Sequence, residues 1–218
     1  MNDVISLRKQ IESAGARLIA VSKTHPVEDI LKLYEQGLRE FGENKVQELL
    51  SKAPLLPEGI QWHLIGHLQS NKVKYIIPFI SMIHTVDSRK LLDEIEKEAA
   101  KAGRIIPFLF QFHVAREESK FGIDPKDYAW IHQLDFENDY PHTLPSGVMG
   151  MATYTDDIEQ IVEEFKQLRH LFDQLKEQKF ESNDAFRELS MGMSSDYTLA
   201  LECGSTMVRI GSLLFGDR

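Results

Sequence analysis

Apolar positions along the chain keep switching between two rhythms, short apolar runs and longer stretches in which apolar residues recur every third or fourth position. Val4, Ile5, Leu7 and Ile11 stand at near-helical spacing up to Gly15, which predicts an amphipathic opening helix. Residues 18–21 form the first strand. Pro26 then suits the first turn of a helix whose apolar face is Ile30, Leu31, Leu33 and Tyr34, with Gly37 as its stop. The alternation repeats through a short strand at 40–41 ended by Gly42-Glu43-Asn44, a helix carrying Val46, Leu49 and Leu50, a strand over 61–65, and a short helix over 71–77 stopped by Pro78. Residues 80–86 read as the fourth strand, Ser88 as the cap of a helix through Leu91, Leu92, Ile95 and Ala99 to Gly103, and 105–114 as the fifth strand. Pro125 opens a helix through Tyr128 and Ile131, whereas the turn-rich residues 135–146 carry no element. The sixth strand is 147–153. A long helix over 156–178 follows, with Ile158, Ile161, Val162, Phe165, Leu168, Phe172 and Leu175 on one stripe. After a polar loop at 179–187 come a strand at 188–191, a helix at 196–203 and an eighth strand at 207–210.

Eight strands alternating with helices predict an α/β fold, a single (β/α)8 TIM-type barrel with an extra N-terminal helix, spanning residues 1–218 as one domain. A doubly wound open sheet is the alternative. No internal repeat or linker divides the chain. A barrel places its active site at the carboxyl ends of its strands. Read in order, those ends carry Lys23, Asn44, Gly66 and His67, Thr85 and Asp87, His113, residues 149–153, Ser190 to Ser194, and Arg209 to Ser212.

Composition narrows the function classes. With 42% hydrophobic and 27% charged residues the chain is an ordinary globular one. A formal net charge of −9 opposes a phosphate-backbone binder, so no nucleic-acid partner is expected. No apolar run reaches the roughly 18 residues of a membrane span and no targeting segment opens the sequence, which predicts a cytoplasmic protein with no membrane partner. The single cysteine, Cys203, reads as a buried, inert thiol.

The strand ends suggest a phosphorylated carbonyl ligand. Lys23 supplies an amine at the mouth, while Gly192 and Ser194-Ser195 after the seventh strand and Gly211-Ser212 after the eighth would let backbone N–H groups approach an anion. Glycine and serine in one loop would simply make a turn; two such loops beside a lysine point further. Pyridoxal 5'-phosphate has the matching groups: an aldehyde for the amine, a phosphate for the loops, and a ring nitrogen for a partner such as Arg209. An arginine there donates a hydrogen bond without protonating the ring, which leaves the ring a poor electron sink.

Several blocks carry a family resemblance: Ile19-Ala-Val-Ser-Lys-Thr24, Phe41-Gly-Glu-Asn44 with Val46-Gln-Glu48, Trp62-His-Leu-Ile-Gly66 with Leu68-Gln-Ser-Asn-Lys72, Leu189-Ser-Met-Gly-Met-Ser194, and Gly204-Ser-Thr-Met-Val-Arg-Ile-Gly211. Together, over about Arg17 to Phe215, they resemble the pyridoxal phosphate homeostasis proteins, a family similar to the N-terminal barrel of alanine racemase standing alone. The resemblance implies a cofactor Schiff base (aldimine) on Lys23, phosphate contacts from Ser194, Gly211 and Ser212, Arg209 near the ring nitrogen, and Asn44 and Met149 lining the ring. It also implies a role in vitamin B6 homeostasis and delivery of the cofactor to apo-enzymes. The sequence departs from the family pattern at His113, at Gly147-Val-Met149, and over residues 124–146 and 179–187. Glu117, Glu118 and Lys120 before Gly122 are similar to a family pattern but also read as a solvated turn. His63 and His67 stand four apart, yet on a strand broken by Gly66 that spacing does not bring their rings together, so no metal is predicted.

Racemisation would need an acid/base on each face of the substrate, Lys23 on one and a tyrosine or cysteine on the other. In alanine racemases that second group comes from an additional β-domain, and the sequence, ending at Arg218, is expected to lack it. Tyr154, Tyr197 and Cys203 are the local substitutes, each also readable as packing. The expectation is a monomeric carrier without detectable catalysis. A pyridoxal phosphate-dependent racemase is the alternative, and a cofactor-free sugar-phosphate isomerase a distant third.

Overall fold

The computed structural model describes residues 4–117 and 121–216. Its strands are β1 (Arg17–Val21), β2 (Glu40–Glu43), β3 (Gln61–Leu64), β4 (Met82–Val86), β5 (Ile106–Gln111), β6 (Thr143–Met149), β7 (Glu188–Ser190) and β8 (Met207–Ile210). They follow one another in chain order around a closed barrel, every neighbour pair parallel. β1 closes the ring on β8, with Arg17 opposite Met207 and Ala20 opposite Ile210. That pairing rules out the open doubly wound sheet.

Helix α1 (Val4–Ser13) precedes the barrel, and α2 (Val27–Glu35), α3 (Val46–Lys52), α4 (Val73–Ile76), α5 (Arg89–Ala102), α6 (Ala129–His132), α7 (Ile158–Gln178), α8 (Tyr197–Glu202) and α9 (Ser212–Phe215) follow the strands. The long helices end where their chemistry dictates. Ser88 Oγ accepts from the Leu91 N–H at 3.4 Å to start α5, and Gly103 ends it in the left-handed conformation at φ 62°. Asp157 caps α7 by accepting from Gln160 N at 3.1 Å.

Side-chain parity divides the core. Leu18, Phe41, Trp62, Leu64, Phe108, Phe110 and Val208 point outward into the shell under the helices, where a fully buried phenylalanine contributes roughly 1.5–3 kcal/mol relative to exposure. Ile19, Met82, Leu109, Met149 and Met207 point inward and form one small apolar layer. The rest of the lumen is polar, beginning at the amino end with Arg17 between Glu40 and Glu188 at 2.6 and 3.0 Å.

Three elements differ from the sequence reading. The sixth strand runs over Thr143–Met149, four residues earlier at each end than expected. Its start carries Pro145 in a β-bulge that leaves Ser146 without a partner on β5, so turn-like residues disguise a strand. Around Pro125 there is no helix, because the Asp124 side chain accepts from Lys126 N at 2.8 Å in a local turn and α6 begins only at Ala129. Strand five stops at Gln111, after which Phe112 pairs with Ile123 in an isolated bridge.

Candidate functional site

A cavity of about 560 Å3 opens at the carboxyl ends of the strands. Lys23, Asn44, Ser194, Arg209, Gly211 and Ser212 all line it, together with His25, Ile65, Met151, Tyr154 and Leu213. A parallel barrel collects its strand ends in one place, and that is what unites residues far apart in sequence.

The segment carrying Lys23 is held from behind. Thr24 adopts a left-handed φ of 67°, unusual for a branched residue, and its N–H donates to the Glu48 carboxylate. Lys52 Nζ donates to Glu48 at 2.7 Å, to Glu43 at 2.8 Å and to the Ser22 carbonyl at 2.8 Å, while Ser22 Oγ donates to Glu43 at 2.7 Å. The two carboxyls respond differently. Burial dominates at Glu43 and raises its pKa despite Lys52 and Ser22. Burial also opposes the charge of Glu48, but the hydrogen bonds from Lys52 and Thr24 outweigh it and hold that carboxyl below its usual range. A turn that would otherwise relax is thereby fixed with Lys23 lining the cavity.

Asn44 lies against Gly66, where a Cβ would stand 2.3 Å from the Asn44 carbonyl oxygen. Glycine is needed there because the two backbones touch. Met149, expected beside the ring, sits instead in the fully buried apolar layer with Ile19 and Met207 and does not line the cavity. Met151, two residues further on and only partly buried, reaches it.

Two loops form the anion-suited wall. Asp196 accepts from Met193 N at 2.6 Å and shapes the turn after β7, and Gly192 takes φ 94° there. Ser194 Oγ accepts from Gly211 N at 3.2 Å, joining this loop to the one after β8. The N–H groups of Ser212 and Leu213, at the start of α9, meet no acceptor among the described residues.

Arg209 is buried at 3% exposure, and its acceptors are neutral: Ser190 Oγ at 2.6 Å and the Gly150 carbonyl at 3.0 Å. Burial pulls its pKa down to about 10, with Asp196 acting in the opposite direction, so it remains a cation near neutral pH.

An amine, a pair of loops with available N–H donors and a fixed cation thus face one cavity. The alanine racemase N-terminal domain model matches residues 3–218. A pyridoxal phosphate homeostasis protein of Aquifex aeolicus is 40% identical over 97% of this chain and 93% of its own length. The human protein of that name is 39% identical over 96% of this chain and 79% of its own length. The chain belongs to the pyridoxal phosphate homeostasis protein family. PipY of Synechococcus elongatus, solved with PLP bound, has a TM-score of 0.84 and 36% identity over 98% of both chains. An alanine racemase from Clostridium difficile shares the fold at a TM-score of 0.74 and 16% identity, and this chain covers 54% of it.

The donor set fits the cofactor of that family. Lys23 would hold an aldehyde, Ser194, Ser212 and the N–H groups of Ser212 and Leu213 a phosphate, and Arg209 a ring nitrogen. The sequence reading gave no role to His25, which stacks on Phe215 at 4.3 Å, and singled out Met149 rather than Met151 from the strand end at 149–153. Met151 lies two residues beyond Met149, on the inward parity of the sixth strand extended past its end, whereas the turn at Thr24 breaks that parity before His25. His63 and His67 go separate ways: His63 lies inside the barrel, 2.8 Å from His84, and His67 stacks on Phe121 at 4.0 Å. Glu118 and Lys120 of the Glu-Ser-Lys-x-Gly pattern lie outside the described residues, while Glu117 accepts from Tyr154 N at 2.7 Å. No helix among the described residues is long and apolar enough to cross a membrane.

Proposed function

We propose that this chain binds pyridoxal 5'-phosphate as a Schiff base on Lys23 and holds it for delivery to apo-enzymes, as a single-domain cytoplasmic monomer. The observation that carries the reading is the gathering of Lys23, the two serine-glycine loops and Arg209 around one cavity. The cofactor supplies an electrophilic aldehyde and a phosphate anchor. Lys23 Nζ would supply the amine that condenses with that aldehyde with loss of water, a linkage that an acceptor's amine could exchange. The hydroxyls of Ser194 and Ser212 with the N–H groups of Ser212 and Leu213 would hold the phosphate, Gly211 joining the two loops behind it, and Asn44 would border the ring. Met149 supports Met151 from below.

Two features favour a carrier over a catalyst. Arg209 keeps its proton near neutral pH and can only donate to a ring nitrogen, which leaves the ring a weak electron sink. The acid/base needed opposite Lys23 is not well placed: Tyr154 lines the cavity but is 88% exposed, Tyr197 Oη donates to Gln10 at 3.5 Å, and Cys203 lies outside the cavity lining. A positioned acid/base is worth about 10²–10⁴ in rate.

The test combines borohydride reduction of the loaded protein, peptide mapping of the adduct, reactivation of an apo-enzyme, and α-proton exchange of amino acids in deuterated water. An adduct on Lys23 with reactivation and no exchange is expected. An adduct elsewhere overturns the site, and Lys23-dependent exchange at catalytic turnover overturns the carrier reading in favour of an enzyme.

A further inference from the structure

Arg209 is the upper end of a polar chain that runs down the barrel lumen. Its Nη1 donates to Ser190 Oγ at 2.6 Å, and Ser190 Oγ stands 3.1 Å from His84 Nδ1. His84 Nε2 stands 2.8 Å from His63 Nδ1. His63 Nε2, which has no hydrogen-bond partner among the described residues, faces Glu40 Oε1 at 3.8 Å. Glu40 is paired with Arg17 at 2.6 Å at the opposite end of the barrel from the cavity. His63, His84, Ser190 and Arg209 are each at most 3% exposed, so bulk water does not compete for these bonds.

The ends of the chain dictate its direction. A guanidinium can only donate and a carboxylate can only accept. Burial holds both imidazoles neutral near pH 7, with the His63 pKa lowered to about 3 and that of His84 well below 6.5, so each ring has one donor and one acceptor. Two orders exist. In the first, Ser190 O–H donates to His84 Nδ1, His84 Nε2–H to His63 Nδ1, and His63 Nε2–H points at Glu40. In the reverse order Ser190 accepts twice, its own proton goes unused, and a bare His63 lone pair faces the carboxylate. Only the first order aligns every dipole with its acceptor end towards the buried Arg209 cation, which donates to the neutral Ser190 Oγ and Gly150 carbonyl.

We infer that His84 and His63 are positioning residues for Arg209: as Nε2–H tautomers they form a one-directional hydrogen-bond chain that fixes the guanidinium at the cavity, its last N–H facing the Arg17–Glu40 ion pair across 3.8 Å at the far end of the barrel. Ser190 is the joint that transmits this orientation. The chain stabilises a buried cation by polarising the oxygen it donates to, each bond strengthening the next. Its relevance to a ring nitrogen rests on the cofactor reading above, but the chain itself does not require the cofactor.

The test therefore begins with the protein free of pyridoxal phosphate. Nitrogen-15 NMR of the histidine rings near pH 7 is expected to show a protonated Nε2 and a bare, hydrogen-bonded Nδ1 at both His63 and His84; an Nδ1–H tautomer at either ring overturns the inference. Hydrogen exchange of the Arg209 guanidinium is expected to accelerate on the order of tenfold in Ser190→Ala and in His84→Leu, with partial rescue in His84→Gln. Unchanged exchange overturns the positioning role, and Ser190→Ala, which removes one hydroxyl, carries this test if His84→Leu does not fold. Addition of pyridoxal phosphate then separates the two readings. A shifted absorption maximum in Ser190→Ala supports positioning at the ring, whereas an unshifted maximum in a protein that still labels at Lys23 overturns that last link and leaves the carrier reading standing.

Discussion

The Gly211 N–H donates to Ser194 Oγ at 3.2 Å, so the loops after the seventh and eighth strands are joined directly to each other. The hydroxyl proton of Ser194 stays available to a phosphate, as does that of Ser212 across the same wall. Ser194→Ala with Ser212→Ala is expected to weaken binding of pyridoxal phosphate by about tenfold or more while leaving unphosphorylated pyridoxal nearly unaffected. Paired equilibrium titrations decide this: equal losses for both ligands would show that the serines merely shape the loops.

Behind Lys23, the pairing of Lys52 with Glu43 is nearly dry, at 7% and 0% exposure. Removing one partner strands the other. Lys52→Met is expected to cost about 3–5 kcal/mol of unfolding free energy, and adding Glu43→Gln to recover part of it. Urea denaturation measures both, and a loss below about 1 kcal/mol for Lys52→Met would place the pair in the weak class of solvated ion pairs.

The contact between Gly66 and Asn44 has no room for a methyl group, since a Cβ would lie 2.3 Å from the carbonyl oxygen and 2.7 Å from the Cα of Asn44. Gly66→Ala is expected to destabilise by about 1–3 kcal/mol, as overpacking does, and to weaken cofactor binding by displacing Asn44. Thermal melts and binding titrations check the two effects separately.

The lumen histidines make stability depend on pH. In the unfolded chain both protonate near pH 6.5, whereas native His63 stays neutral down to about 3, with burial the main cause and Arg17 adding to it. The unfolded state then binds more protons across that window, so stability falls as pH drops below 6.5. Each histidine contributes a slope of at most about 1.4 kcal/mol per pH unit, and His63→Gln should remove one such contribution. Urea melts between about pH 5 and 6.5, above most carboxylate titration, provide the comparison. Identical slopes in wild type and variant would mean that the native ring protonates.

The lining of the cavity was legible where the barrel rule applies directly. Lys23, Asn44, Ser194, Arg209, Gly211 and Ser212 each stand at or just past a strand's carboxyl end, and closure of the sheet brings such positions together whatever their sequence separation. Met149 came from the family resemblance and not from strand pattern, and its side chain lies one layer below the cavity, in the buried apolar cluster. His84 went unremarked because it lies inside the fourth strand, Met82–Val86, and not at the carboxyl end where the barrel rule looks. His63 was weighed only against His67, its neighbour in sequence, although its partner in space is His84 from the next strand. Side-chain partners across a lumen depend on register, which a single strand's pattern does not contain.

Closure of the barrel also sets the order of events in folding. The seam is made by β1 and β8, the first and last strands, and the cavity straddles it, with Lys23 on one side and Arg209, Gly211 and Ser212 on the other. Pairings between distant parts of a chain form late, because loop-closure entropy must be spent before they bring any return. An emerging or C-terminally shortened polypeptide would possess the lysine but neither the cation nor the anion wall, and could capture aldehydes only indiscriminately. The lysine therefore gains its cation and the Gly211-Ser212 wall only once the last strand has docked against the first.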